Sequence, residues 1–265
     1  MCPRIVDKES LEARELELLS AALEVIESEG TAGLNMDKLV ARVPYSKGTV
    51  YSHFSSKEDL LTRLCIQGME ILAELFQRAA DHQGSTRERG LAIHLAYLVY
   101  ALLHPHRFRL VISAMSPTLF ERTSEQNRGA FRAVEGELFG SVVKIVDDAI
   151  SCGDFKLPAH MTKQQVAFSN WAVGFGTIAL LAVEFNDCEC RRGLNLEHEL
   201  FNNVNTLLDG MGWKPLAGSK DHSDTLKRIA DQLFNEEMVQ LSERGISLDF
   251  TRPKMPVGTT GDLFG

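Results

Sequence analysis

The sequence predicts an all-α fold, with an N-terminal three-helix head containing a helix-turn-helix and a larger C-terminal helical body. Three observations carry this. Apolar residues recur at three- and four-residue steps along most of the chain. Good capping residues (Asn35, Ser46, Ser56, Thr162) stand just before several of these stretches. No run alternates apolar with polar residues as a strand does, and no internal repeat or low-complexity tract appears.

Residues 1–10 read as a lead-in. Leu16, Leu19, Leu23 and Ile26 then form a helical stripe, and Gly30 ends that helix, since glycine suits the left-handed closing position. Residues 31–34 connect to Asn35, whose side chain can accept from the free N–H groups of a first turn. Leu39, Val40 and Val43 give the next helix its apolar side, and Pro44 stops it by excluding its predecessor from the α region. Ser46 caps a second short helix from Lys47, anchored by Val50, Tyr51 and Phe54. Its first turn, Lys47-Gly48-Thr49, is small, polar and cationic, a combination suited to a phosphate backbone. Two short helices around a tight break are the layout of a helix-turn-helix. Ser56 with Glu58 and Asp59 then starts a fourth helix, expected over 57–81, linking the head to the rest.

The body continues with a helix over 86–103 (Leu91, Leu95, Leu98, Val99, Leu102 inward), an interruption at His104-Pro105-His106, and a short helix ending near Ser116-Pro117. One long helix is expected from Leu119 to Ser151, a turn over 152–158, and a helix from Thr162 to about Phe185. Asn186–Gly193 reads as a polar loop, 195–212 as a helix, 214–221 as a linker, 221–245 as one added amphipathic helix, and 251–265 as a mobile tail. The division expected is 1–56 for the head, 57–213 for the body, and 214–265 for the linker, extra helix and tail.

The hydrophobic fraction of 44% and charged fraction of 24% are those of a soluble globular protein. A net charge of −8 speaks against indiscriminate coating of nucleic acid. Within 35–57, however, Lys38, Arg42, Lys47 and Lys57 face only Asp37, a local balance of +3. Five irregularly spaced cysteines and an N-terminus without an apolar leader predict a cytoplasmic protein. The longest apolar run, Trp171 to Val183, is interrupted by Gly174, Gly176 and Thr177 and is shorter than the roughly 18 residues of a membrane span.

The order S-K-G-T-V-Y-x-H-F-x-x-K-E-x-L, carried by Ser46 to Leu61 with Leu39 ahead of it, resembles the DNA-binding signature of the TetR family of bacterial transcriptional regulators. Pro44 stands where the family usually has Gly, and Tyr45 where it has a small aliphatic residue. The resemblance implies DNA contact through Asn35, Arg42, Tyr45, Ser46, Lys47, Gly48, Thr49, Tyr51, His53 and Lys57. Lys47, Tyr51, His53 and Lys57 would meet phosphates, Thr49 and Tyr45 base edges, and Gly48 would permit close approach. It also implies a small-molecule cavity in the body, for which His94, Phe108, Met115, Phe120, Phe168, Asn170, Trp171 and Phe175 are candidates. A homodimer built on helices 162–185 and 195–212, a palindromic double-stranded DNA operator, and most often repression follow from it too.

Nothing points to catalysis: no P-loop, nucleophile elbow or dinucleotide fingerprint is present. Cys188-Glu189-Cys190 lacks the second pair that a structural zinc site needs, so neither metal nor cofactor is expected. The competing reading is a helical small-molecule-binding protein or enzyme that keeps the motif as scaffold.

Overall fold

The computed structural model describes residues 8–114, 117–182, 188–219 and 222–251, and among them it holds twelve α-helices and no strand. In the head, α1 (Lys8–Gly33) bends at Gly30, whose φ of 73° takes the backbone out of the helix. It lies against α2 (Met36–Arg42) and against α4 (Lys57–Ala80), with α3 (Lys47–His53) on α2. The inward face of α1 is Leu18, Leu19, Ala22, Val25 and Ile26; Leu16, expected in the stripe, is more than half exposed, because the true stripe begins two residues later. Val50 of α3, Phe54 just after it, and Leu60, Leu61 and Leu64 of α4 close this core. So do Leu110 of α6 (Pro105–Ala114) and Leu119 of α7 (Pro117–Glu121), so the head packs directly on the helices that follow.

The body centres on α5 (Thr86–Leu103), which is buried on every side rather than along one stripe. A helix apolar all round must be enclosed. Here α4, α6, α8 (Glu125–Cys152), α9 (Lys163–Leu181) and α10 (Leu196–Gly210) enclose part of it, and α11 (Ser223–Leu233) with α12 (Asn235–Glu243) cover the remainder. Three expectations are corrected. The single helix over 119–151 is two, broken at Thr123 and Ser124, where Ser124 Oγ accepts from Asn127 N and starts α8 afresh. The single added helix is also two, broken at Phe234, whose fully buried ring takes precedence over local helix continuity. And α9 ends at Leu181, capped by Ala182; Phe185 and the tail from 252 lie outside the described residues.

No helix of the described residues is long and apolar enough to cross a membrane. Between α10 and α11 the chain is stapled to the body. Trp213 stacks on Phe155 at 4.8 Å, its indole N–H donates to Thr86 Oγ1 (3.1 Å), and Lys214 N donates to Asp154 O (2.8 Å). The segment after 214 is therefore anchored to the core at its first residues.

Candidate nucleic-acid interface and body cavity

Local hydrogen bonding shapes the helix-turn-helix. Asn35 Oδ1 accepts from Lys38 N (2.9 Å) and Ser46 Oγ from Thr49 N (3.1 Å), so each short helix has a first-turn donor satisfied. Val43, ahead of Pro44, is extended (φ −120°, ψ 151°) and sets the break. With Leu39, Val50 and Phe54 turned into the core, Asn35, Arg42, Ser46, Lys47, Gly48 and Tyr51 are exposed, and Tyr45, Thr49, His53 and Lys57 half-buried. Gly48 has no internal need to be glycine: a Cβ there would meet only Ser46 Oγ, at 3.8 Å.

The cations of this surface already have partners. Lys47 Nζ lies 2.8 Å from Asp37 Oδ1, both groups well exposed, and 5.7 Å from the centre of the Tyr51 ring. The hydrogen bond and charge of Asp37 raise the Lys47 pKa. Lys38 and Arg42 both approach Glu29 of α1, the latter at 3.4 Å, and Lys38 holds the Glu29 carboxyl below its usual value. Lys57 Nζ donates to the Thr31 carbonyl (2.9 Å), closing the α1–α2 connection. Tyr45 donates its hydroxyl to Glu17, which raises the phenol pKa, and Arg14 sits 5.2 Å over its ring. The structure thus turns the Tyr45 hydroxyl toward α1. Burial lowers the His53 pKa, and its Nε2 has no hydrogen-bond partner among the described residues. Window counting over 35–57 missed Arg14, Glu17 and Glu29; including them brings the balance from +3 to +2.

A cavity of about 50 Å³ lies between α4, α5, α8, α9 and α10. That is room for a few waters, far below the roughly 300 Å³ of a ligand pocket. His94, Asn170 and Trp171 line it, joined by Phe76, Tyr97 and the buried Arg87. His94 Nε2 is 3.4 Å from Asn170 Oδ1; its Nδ1 is unpartnered and rests against Gly174, where a Cβ would come within 2.8 Å. Burial pushes the His94 pKa down to about 4. Phe175 and Phe108 stand beside this wall, their rings tilted at 36° with centroids 5.4 Å apart, with Phe175 against Trp171 and Phe108 against Tyr97. Phe168 is not in the wall: it is 59% exposed, because the register that turns Ala167 and Asn170 inward turns it out. Phe120 packs on Phe131 at 5.4 Å, near the α7–α8 break and away from the cavity. Met115 lies outside the described residues.

Sequence reasoning missed the junction between head and body. Asp59, in the first turn of α4 and only 2% exposed, accepts through Oδ1 from Ser124 N (3.0 Å), Ser124 Oγ (2.7 Å) and Asn127 Nδ2 (2.7 Å). Through Oδ2 it accepts from Ser55 N and Oγ, both at 3.1 Å. Burial works to raise its pKa, but these bonds outweigh burial and hold it below the usual carboxylate value. Beside it Ser56 Oγ donates to the Arg122 carbonyl (3.0 Å), and Thr62 and Thr123 hydroxyls meet at 2.7 Å. The only sequence signal was the cap pattern at Ser124.

Residues 18–64 match the profile described as bacterial regulatory proteins, tetR family. The HTH-type transcriptional regulator Rv1816 of Mycobacterium tuberculosis is 25% identical over 162 residues, spanning 60% of this chain and 66% of that protein. Among solved structures, a Rhodococcus protein of unknown function aligns with a TM-score of 0.60 at 23% identity, over 80% of this chain and 100% of that one. A tetR-family regulatory protein from Rhodococcus aligns with a TM-score of 0.56 at 16% identity, over 75% and 97%. At these identities the structural likeness speaks for the fold, while the helix-turn-helix residues carry the specific match. The head segment 18–64, which holds the helix-turn-helix, is similar to the TetR family of bacterial regulatory proteins.

Proposed function

We propose that this protein is a ligand-responsive transcriptional regulator of the cytoplasm, a repressor that binds a palindromic DNA operator as a homodimer. One observation carries the reading: α3 and its capping residue Phe54 turn Val50 and Phe54 into the core and leave Lys47, Gly48 and Tyr51 outward, on the segment that matches the family profile. Lys47, Tyr51, His53 and Lys57 would take phosphates and Thr49 a base edge, with Gly48 leaving room for the groove. Asn35, Arg42 and Ser46 flank them. Tyr45 would reach a base only by leaving Glu17. Phosphate contacts set register, and base edges and DNA shape supply sequence preference.

Residues 1–56 would form the DNA-binding unit, 57–213 the ligand-binding and dimerisation unit, and 214–265 a segment supporting the body. The outward face of α9 carries Phe168, Trp171 and Leu180, an apolar strip suited to a second copy, with α10 beside it. The effector would be a small, partly apolar molecule entering beside His94, Asn170 and Trp171, and the small cavity would have to widen to receive it. Such a ligand acts only through different affinities for the two states.

The test is a gel-shift series on DNA flanking the protein's own gene, with the mass of the complex measured in solution. A specific, salt-sensitive complex of two chains per site is expected. Absence of any specific complex across the salt series refutes the reading.

A further inference from the structure

The turn between α9 and α10 brings two sulfurs into contact. Cys188 Sγ and Cys190 Sγ lie 3.1 Å apart around the 3-10 turn Glu189–Arg191, with Cys190 exposed and Cys188 partly so. A disulfide needs a separation of about 2.0 Å, so closure asks for a shift of about 1 Å. Arg191 donates from Nη1 to the Leu180 carbonyl, fixing the turn to the last turn of α9 and placing a guanidinium beside the pair. The remaining described cysteines differ. Cys65 is buried, with its pKa pushed up to about 12, and Cys152 has no second sulfur beside it among the described residues, its Sγ bonding to the Ala149 carbonyl at 3.6 Å. At the turn, the hydrogen bond from Cys190 and then Arg191 lower the Cys188 pKa, while the bond to Cys188 raises that of Cys190. One sulfur is thus favoured as thiolate and the other kept as a proton-bearing neighbour, a division of roles suited to a nucleophile and a resolving thiol. No group of three metal-ligating side chains forms among the described residues.

We propose that Cys188 and Cys190 form a dithiol–disulfide site that reacts with oxidants of the peroxide class. The Cys188 thiolate attacks one peroxide oxygen, the O–O bond breaks and hydroxide leaves, taking up a proton as water. The sulfur has given two electrons and is now a sulfenic acid. Cys190 then attacks the Cys188 sulfur, the S–S bond forms, the S–O bond breaks, and the departing hydroxide carries off the Cys190 proton as a second water. Two thiols and one hydrogen peroxide give one disulfide and two waters, and two equivalents of an external thiol return it to the dithiol by exchange, themselves leaving as a disulfide.

Full-length protein is treated with equimolar hydrogen peroxide, denatured, alkylated and digested with trypsin. The peptide 164–191 contains both cysteines and no other. It is expected to lose two hydrogens and to resist alkylation until reduced, while the Cys152 peptide alkylates in full. Cys190→Ser should leave a sulfenic acid at Cys188 that dimedone traps; Cys188→Ser should oxidise no faster than Cys152. Oxidation of the pair no faster than Cys152, or bonds from Cys188 or Cys190 to another chain or another cysteine, overturns the proposal.

Discussion

Asp59 offers the sharpest test of how the head is fastened to the body. Its carboxylate receives five hydrogen bonds, three from the start of α8 and two from Ser55. Bonds to a charged acceptor contribute about 1.5–3 kcal/mol each, and a buried donor left unpaired costs about 1–3 kcal/mol. Ser55 is exposed, so water replaces its two bonds at little cost; Ser124 is half-buried and Asn127 is 8% exposed, so their losses count. Asp59→Ala is therefore expected to destabilise the protein by about 3–5 kcal/mol. Asp59→Asn keeps the volume and one acceptor oxygen and should cost about 1–2 kcal/mol. The assay is urea unfolding followed by far-UV circular dichroism, comparing midpoints at constant slope. The pH dependence has a definite sign. The folded-state pKa is depressed, so this stabilisation is complete above the unfolded-state value near 3.8 and is lost as pH falls through the lower folded-state value. The parent should lose it below about pH 4, and Asp59→Asn should lack that component. An alanine variant within about 1 kcal/mol of the parent, or no better separated from Asp59→Asn, would refute the argument.

Three further outcomes are expected. Lys47→Ala should weaken binding to all DNA sequences alike and reduce the slope of log K against log salt by about 0.9, whereas Asp37→Asn, which frees Lys47 from its partner, should strengthen it; gel shifts at several salt concentrations report both. Between the ordinary value of 6.5 and its folded value of about 4, His94 is protonated in the unfolded chain and neutral in the fold, so stability falls as pH falls through that window. The difference is about 3 kcal/mol, and His94→Gln should remove that part of the dependence in thermal melts. Deleting residues 222–251 exposes the site of Leu226, Ile229, Phe234 and Leu241, each 3% exposed or less. At about 1.5–3 kcal/mol per side chain this rivals the whole stability of a domain, so the truncated chain should not yield a cooperative melt.

The head was legible because its signals are local. Asn35, Ser46 and Ser56 each cap the helix they precede, and Pro44 breaks where proline must. The central helix was legible in extent, but its meaning was not. Thr86 to Leu103 was read as one-sided although Ile93, Ala96, Tyr97, Tyr100 and Ala101 fill the other faces, an all-round apolar pattern that calls for a second cover. That cover is α11 and α12, separated from α5 by more than a hundred residues of chain. The break at Phe234 has neither glycine nor proline; it is made by a ring driven into the core beneath the Arg78 guanidinium, 5.4 Å above it. Asp59 looked like an ordinary first-turn acid because Ser124 lies 65 residues away. Among the cavity candidates, aromatic type alone did not separate Trp171, in the wall, from Phe168, outside it; helical register did.

On the proposed reading, α4 is the member that must carry a change from cavity to head, and its fastening determines how. Phe76, near its C-terminal end, lines the cavity, while Asp59 to Leu64 at its start belong to the junction and the head core. Between them Gly68 admits the Tyr100 hydroxyl so closely that a Cβ would come within 2.5 Å of it, and Arg107 donates to Gln67 Oε1 at 2.8 Å. At 1.5 Å per residue, Gly68 stands about 13 Å from Asp59 and about 12 Å from Phe76, a pivot with nearly equal arms. Widening the cavity by pushing Phe76 outward would then swing the start of α4 the opposite way, straining the bonds from Asp59 to Ser124. Gly68→Ala forces Tyr100 or Arg107 to shift and moves the pivot. It should leave DNA binding and effector binding each measurable, by gel shift and calorimetry, while reducing the factor by which effector changes DNA affinity. An unchanged factor would place the transmission elsewhere, most directly through α6 and α7, which supply Leu110 and Leu119 to the head core without passing through Gly68.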